Sequence, residues 1–92
     1  MEMRLLRTFV IVSRTGSITK AAVELGYSQP GITHQLKMLE RHLGCILFVR
    51  DVRPLTLTPV GRRRLAVAEA MLGLERLLRD EVPSRLQDSD SE

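Results

Sequence analysis

The sequence predicts a mainly α-helical fold with one small two-stranded β-hairpin, a winged helix-turn-helix carrying a long C-terminal linker helix. Three observations carry that expectation. Residues 17–44 read as two short helices around a tight turn, with a polar outer face on the second. Residues 46–58 hold two short β-like runs around a charged loop. From Thr58-Pro59 onward, apolar residues recur at helical spacing as far as Val82.

The first helix is expected over Met3 to Arg14, where Leu5, Leu6, Phe9, Val10 and Val12 give a wide apolar face. Gly16 ends it and Ser17 is placed to cap the next helix, whose inner residues are Ile18, Ala21, Ala22 and Leu25. Gly26 permits a sharp reversal because it lacks the Cβ that penalises positive φ. Ser28 suits the N-cap of the third helix, and Pro30 fits a first turn whose amides have no partner in any case. Ile32, Leu36, Leu39 and Leu43 form the inner stripe. Gln29, Thr33, His34, Lys37 and Arg41 fall on the opposite face, and Gly44 suits the position after the helix end.

Ile46 to Arg50 is apolar and β-branched before it turns basic, and Leu55 to Thr58 alternates with period two. With Asp51-Val52-Arg53-Pro54 between them they predict a hairpin whose tip carries Arg50 and Arg53, suited to phosphates or a minor groove. Thr58 and Pro59 are good N-cap and first-turn residues for the last helix, and Pro83 is expected to stop it. Val67, Met71, Leu74 and Leu78 recur along it, and Leu65, Leu72 and Leu77 widen the apolar surface beyond one stripe. That width suits a helix packed both on its own domain and on a second copy. The organisation is therefore a winged helix-turn-helix over 1–58, a linker or dimerisation helix over 59–82, and a flexible acidic tail over 83–92.

A chain of 92 residues builds a single small core, which favours added stability from a homodimer. Charge is unevenly placed. Met1 to Arg64 holds eleven Lys and Arg against four Asp and Glu, whereas Leu65 to Glu92 holds three against seven. The basic front asks for a polyanion partner. Cys45, the only cysteine, allows no intrachain disulfide and sits in an apolar run as a small core residue. His34 and His42 have no carboxylate pair or cysteine placed to make a triad or metal cage, and no Gly-rich phosphate loop is present. The reading is a non-enzyme without cofactor, metal or small-molecule site. No run approaches the roughly 20 apolar residues that cross a bilayer, and no signal-peptide pattern opens the chain, so a cytoplasmic place is expected.

The polar face of the third helix suits double-stranded DNA. Lys20, Lys37, Arg50, Arg53 and Arg62, with the hydroxyls of Ser28 and Thr33, are candidates for phosphate contact. Gln29 can pair with adenine in the two-bond manner open to an amide, and Pro30 and the Thr33 methyl can rest on a thymine methyl. His34 can donate to guanine or accept from a base amine. Two binding alternatives stand beside this: a non-specific nucleic-acid binder, and an interaction module that pairs with full-length regulators. An RNA module would want an aromatic platform, and Phe9, Tyr27 and Phe48 are the only aromatic residues.

The ordered set Phe9, Gly16-Ser17-Ile18-Thr19-Lys20-Ala21-Ala22, Leu25, Ser28-Gln29-Pro30, Gln35-Leu36, Leu39-Glu40, Leu43-Gly44, Leu47-Phe48, Arg50, Leu57-Thr58-Pro59 and Gly61 resembles the N-terminal DNA-binding domain of the LysR-type transcriptional regulators. The resemblance spans about residues 3–80. It implies a homodimer joined through the linker helices, a pseudo-palindromic operator, a recognition helix in the major groove and wings at the flanking minor grooves. It also implies a bacterial protein working at the nucleoid. Base contacts carried over from the family fall on Gln29, Pro30, Thr33 and His34, with Arg53 on the wing. His34 stands where most members have Arg, and an imidazole cannot copy both bonds of an Arg fork on guanine. Full members continue into an effector-binding domain that these residues do not include, so the chain reads either as a fragment or as a stand-alone binder.

Overall fold

Four helices follow one another in this computed structural model: α1 Met3–Thr15, α2 Ile18–Leu25, α3 Gln29–Leu43 and α4 Pro59–Ser91. The structure describes the backbone of residues 1–91 and the side chains of residues 1–80. Local chemistry sets nearly every boundary. Ser17 Oγ accepts from the Lys20 amide at 3.1 Å, and Ser28 Oγ from the Gly31 amide at 3.1 Å. Thr58 Oγ1 accepts from the Gly61 amide at 2.9 Å and so opens α4. Gly16, Gly26 and Gly44 lie in the left-handed region, with φ of 67°, 75° and 67°, and each returns its amide to the last turn of the helix it ends.

α1 is the central element and packs against the other three, while α2 packs against α3. Leu5, Phe9 and Val12 of α1 meet Ala21 of α2 and Ile32 and Leu39 of α3, all at 1% exposure or less. Phe48 joins them edge-on to Phe9, with ring centroids 5.8 Å apart. Each fully buried large side chain contributes about 1.5–3 kcal/mol. The ion pairs Arg4–Glu2, Arg7–Glu75 and Arg79–Glu75 are partly or largely exposed and add at most about 1 kcal/mol apiece. Apolar burial, with α1 at its centre, therefore holds α3 in place. Cys45 is half-buried at the edge of this core.

Two sequence expectations are corrected. The two-stranded hairpin does not form: residues 46–58 contain no strand, only a single antiparallel bridge between Phe48 and Leu57. Val49 donates to Thr56 at 2.8 Å and Thr58 to Leu47 at 2.9 Å. Around these two bonds the other polar groups turn elsewhere. Leu55 donates to the Gly16 carbonyl at 3.0 Å, Pro54 has no N–H to give, and Thr58 is used as a helix cap. The segment is an extended loop pinned to the end of α1, with its tip at residues 50–54.

The end of α4 is the second correction. Its backbone runs helically to Ser91, through Pro83, where a stop at Val82 is expected. A proline inside a helix removes one N–H donor and crowds the carbonyl four residues back. That is a cost in energy, often met by a kink, and not an absolute stop. The expected flexible tail over 83–92 lies outside the residues whose side chains are described.

α4 carries two apolar seams. Gly61, Leu65, Ala68 and Leu72 face the core, with Gly61 and Ala68 buried. The Gly61 backbone lies so close to the Leu47 carbonyl that a Cβ there would collide with it. The second seam is Val67, Met71, Leu74 and Leu78, exposed to 54%, 38%, 67% and 67%.

Candidate nucleic-acid interface

The core stripe of α3 fixes what its other side presents. Ile32, Leu36 and Leu39 are buried, so residues half a turn away project outward. Gln29, Pro30, Thr33, His34, Lys37 and Arg41 are all exposed. The Ser28 cap sets the start of this ridge, and Gln29 and Pro30 are its first two helical residues. The Gln29 amide makes no hydrogen bond among the described residues, so its donor and acceptor both remain available. Ser28 uses an oxygen lone pair on Gly31, which leaves its hydroxyl proton free to donate.

The remaining candidates lie around this ridge. Lys20 is exposed in the first turn of α2. Arg50 and Arg53 are exposed on the loop between α3 and α4. Arg53 Nη1 leans on the Val52 carbonyl at 3.2 Å. Arg62 is exposed on the first turn of α4, with Nη1 at 3.5 Å from the Leu57 carbonyl. Thr33, Lys37 and Arg41 of α3 and Arg50 of the loop line the walls of one open-sided cleft. The structure thus gathers three of the predicted residues, Thr33, Lys37 and Arg50, around one concave surface. It places Gln29, Pro30 and His34 elsewhere on the ridge, and Lys20, Arg53 and Arg62 on separate elements.

Electrostatics favour a polyanion on this face. Among the described residues none of Lys20, Lys37, Arg41, Arg50, Arg53 and Arg62 takes part in an ion pair, and all three pairs formed involve α1 or α4 residues and Glu2. No three His, Cys, Asp or Glu side chains cluster as a metal site among the described residues. None of the described helices is long and apolar enough to cross a membrane.

Two residues that shape the site escape a reading by residue type. Glu40 Oε2 accepts from the Leu47 amide at 2.8 Å, which ties the far end of α3 to the loop that carries Arg50. Gln35 is buried and accepts a hydrogen bond from Thr8. Its position three residues after Ile32 places it on the inner stripe, and that spacing is the signal that marks it as inward-facing.

Residues 3–62 match the bacterial regulatory helix-turn-helix proteins of the lysR family. The HTH-type transcriptional regulator AbaB of Streptomyces antibioticus is 54% identical over 61 residues, covering 66% of this chain and 20% of AbaB. The regulator TfdS of Cupriavidus pinatubonensis is 46% identical over 76 residues, covering 83% of this chain and 26% of TfdS. The chain thus spans a fifth to a quarter of the length of these relatives. Among solved structures, the BenM DNA-binding domain in complex with benA site 1 DNA superposes with a TM-score of 0.86 at 36% identity, covering 89% of this chain and 92% of that one. The CbnR DNA-binding domain in complex with DNA gives 0.86 at 36% identity, covering 92% and 98%.

Proposed function

This chain belongs to the LysR family of bacterial regulatory helix-turn-helix proteins, and from that premise we propose that it binds double-stranded DNA sequence-specifically as a homodimeric transcription regulator. α3 enters the major groove. Gln29, Pro30, Thr33 and His34 meet base edges, while Lys20, Ser28, Lys37, Arg50, Arg53 and Arg62 hold phosphates, with Arg53 at the minor groove. The exposed seam Val67, Met71, Leu74 and Leu78 pairs with the same seam of a second copy, and the operator is accordingly pseudo-palindromic. The work is done in the bacterial cytoplasm, at the nucleoid.

The observation that carries this reading is the uncovered polar ridge of α3 above a buried inner face that is apolar except for Gln35. A helix held by one face and bare on the other is what groove entry requires. Selection of bound duplexes from a random pool, at stated salt, tests it. The expected product is an enriched two-fold site with half-sites about one helical turn apart, or a multiple of that. A pool that stays random after repeated rounds overturns sequence-specific binding.

A further inference from the structure

Thr8 and Gln35 are the only buried polar side chains among the described residues, exposed to 1% and 7%. They meet each other: Thr8 Oγ1 donates to Gln35 Oε1 at 2.6 Å, across the seam between α1 and α3. The other buried residues of the two helices are all apolar: Leu5, Leu6, Phe9, Val10 and Val12 on α1, and Ile32, Leu36 and Leu39 on α3. Apolar contact is non-directional and tolerates a small roll of one helix on its neighbour. A hydrogen bond is directional and weakens steeply off its axis. Among the described residues this is the one side-chain hydrogen bond between α1 and α3, and so the one directional polar contact in the seam that seats α3.

Roll matters because α3 is rigid. A turn of about 10° about its axis moves side chains at a radius of roughly 5–6 Å by about 1 Å. Such a shift breaks a two-bond contact to a base edge, but flexible Lys and Arg side chains follow a phosphate through it. We propose that Thr8 and Gln35 are positioning residues for base reading: their buried hydrogen bond sets the roll of α3 and so aims Gln29 and Thr33. A lone buried polar pair that fixes register in an apolar seam is the best-attested use of such groups. The inference rests on the DNA-binding reading above.

The test compares the intact chain with T8V/Q35M, which replaces both partners by apolar groups of similar shape. Affinity is measured for the selected duplex and for a random duplex at several salt concentrations, beside thermal unfolding. The expected result is cooperative unfolding, random-duplex affinity within about twofold with an unchanged salt slope, and selected-duplex affinity lower by about tenfold. T8S, which keeps the donor, retains the preference that T8V loses. Equal preference in T8V/Q35M and the intact chain, or an equal fall on both duplexes, overturns the proposal. Should the double variant fail to fold, T8V against T8S decides, and equal preference in those two overturns it. An intact chain with no preference for any duplex overturns the sequence-specific reading itself, and is told apart because no substitution is involved.

Discussion

At the scale of single residues, the site divides into side chains whose job is local and side chains whose job is aimed outward. Ser17, Ser28 and Thr58 each close a helix start within three residues, so a sequence reader finds them without a structure. Gln29 stands at the same helix start as Ser28 but shares none of that work, because its amide bonds nothing among the described residues. Its removal therefore leaves the fold alone. Gln29→Ala is expected to cost about 1–3 kcal/mol on the selected duplex, with little change on random DNA. Paired titrations at one salt concentration check this. An equal loss on both duplexes would mean that Gln29 supports the helix and reads nothing. Thr8 and Gln35 were beyond the sequence for the opposite reason: their partnership spans 27 positions, and no local rule pairs them.

At the scale of elements, α1, α2 and α3 were legible because periodicity, serine caps and turn glycines agree at every boundary except the uncapped start of α1. The segment between α3 and α4 was not. Leu55-Thr56-Leu57-Thr58 alternates as a strand should, but the threonines serve other ends. Thr56 Oγ1 donates to Pro54 at 3.1 Å, and Thr58 caps α4. Contacts to α1 and α4 thus override the β pattern, as tertiary context commonly does. Thr58 is the hinge of this arrangement. Its hydroxyl donates to the Ile46 carbonyl at 2.7 Å while accepting from Gly61, so one oxygen fastens both the helix start and the loop. Thr58→Ala is expected to destabilise by about 1–2 kcal/mol, read as a fall in Tm of roughly 4–8 °C per kcal/mol for a domain of this size. Thr58→Ser should recover most of it. A Tm unchanged in the alanine variant would show that packing alone seats the loop.

At the scale of the whole molecule, the question is what α4 does with an apolar seam it does not bury. Val67, Met71, Leu74 and Leu78 repeat with steps of four, three and four, the spacing of a helix that pairs with another helix. Gly61, Leu65, Ala68 and Leu72 already supply the seam that α1 needs, so the second seam is surplus to the monomer. If it joins two copies, dimerisation and DNA affinity are linked through the number of phosphates held at once. A dimer engaging about five to eight phosphates loses log affinity against log salt with a slope near that number, and a monomer with about half. Leu74→Glu places a charge in the middle of the seam, far from the recognition ridge. Sedimentation of that variant should give a monomer, and its salt slope on the selected duplex should fall to about half that of the intact chain. Affinity for a single half-site should change little, since α3 is untouched. A variant that stays dimeric would locate the self-association surface on some part of the molecule other than α4, and a monomer that keeps the full slope would show that the number of phosphates held does not depend on the dimer.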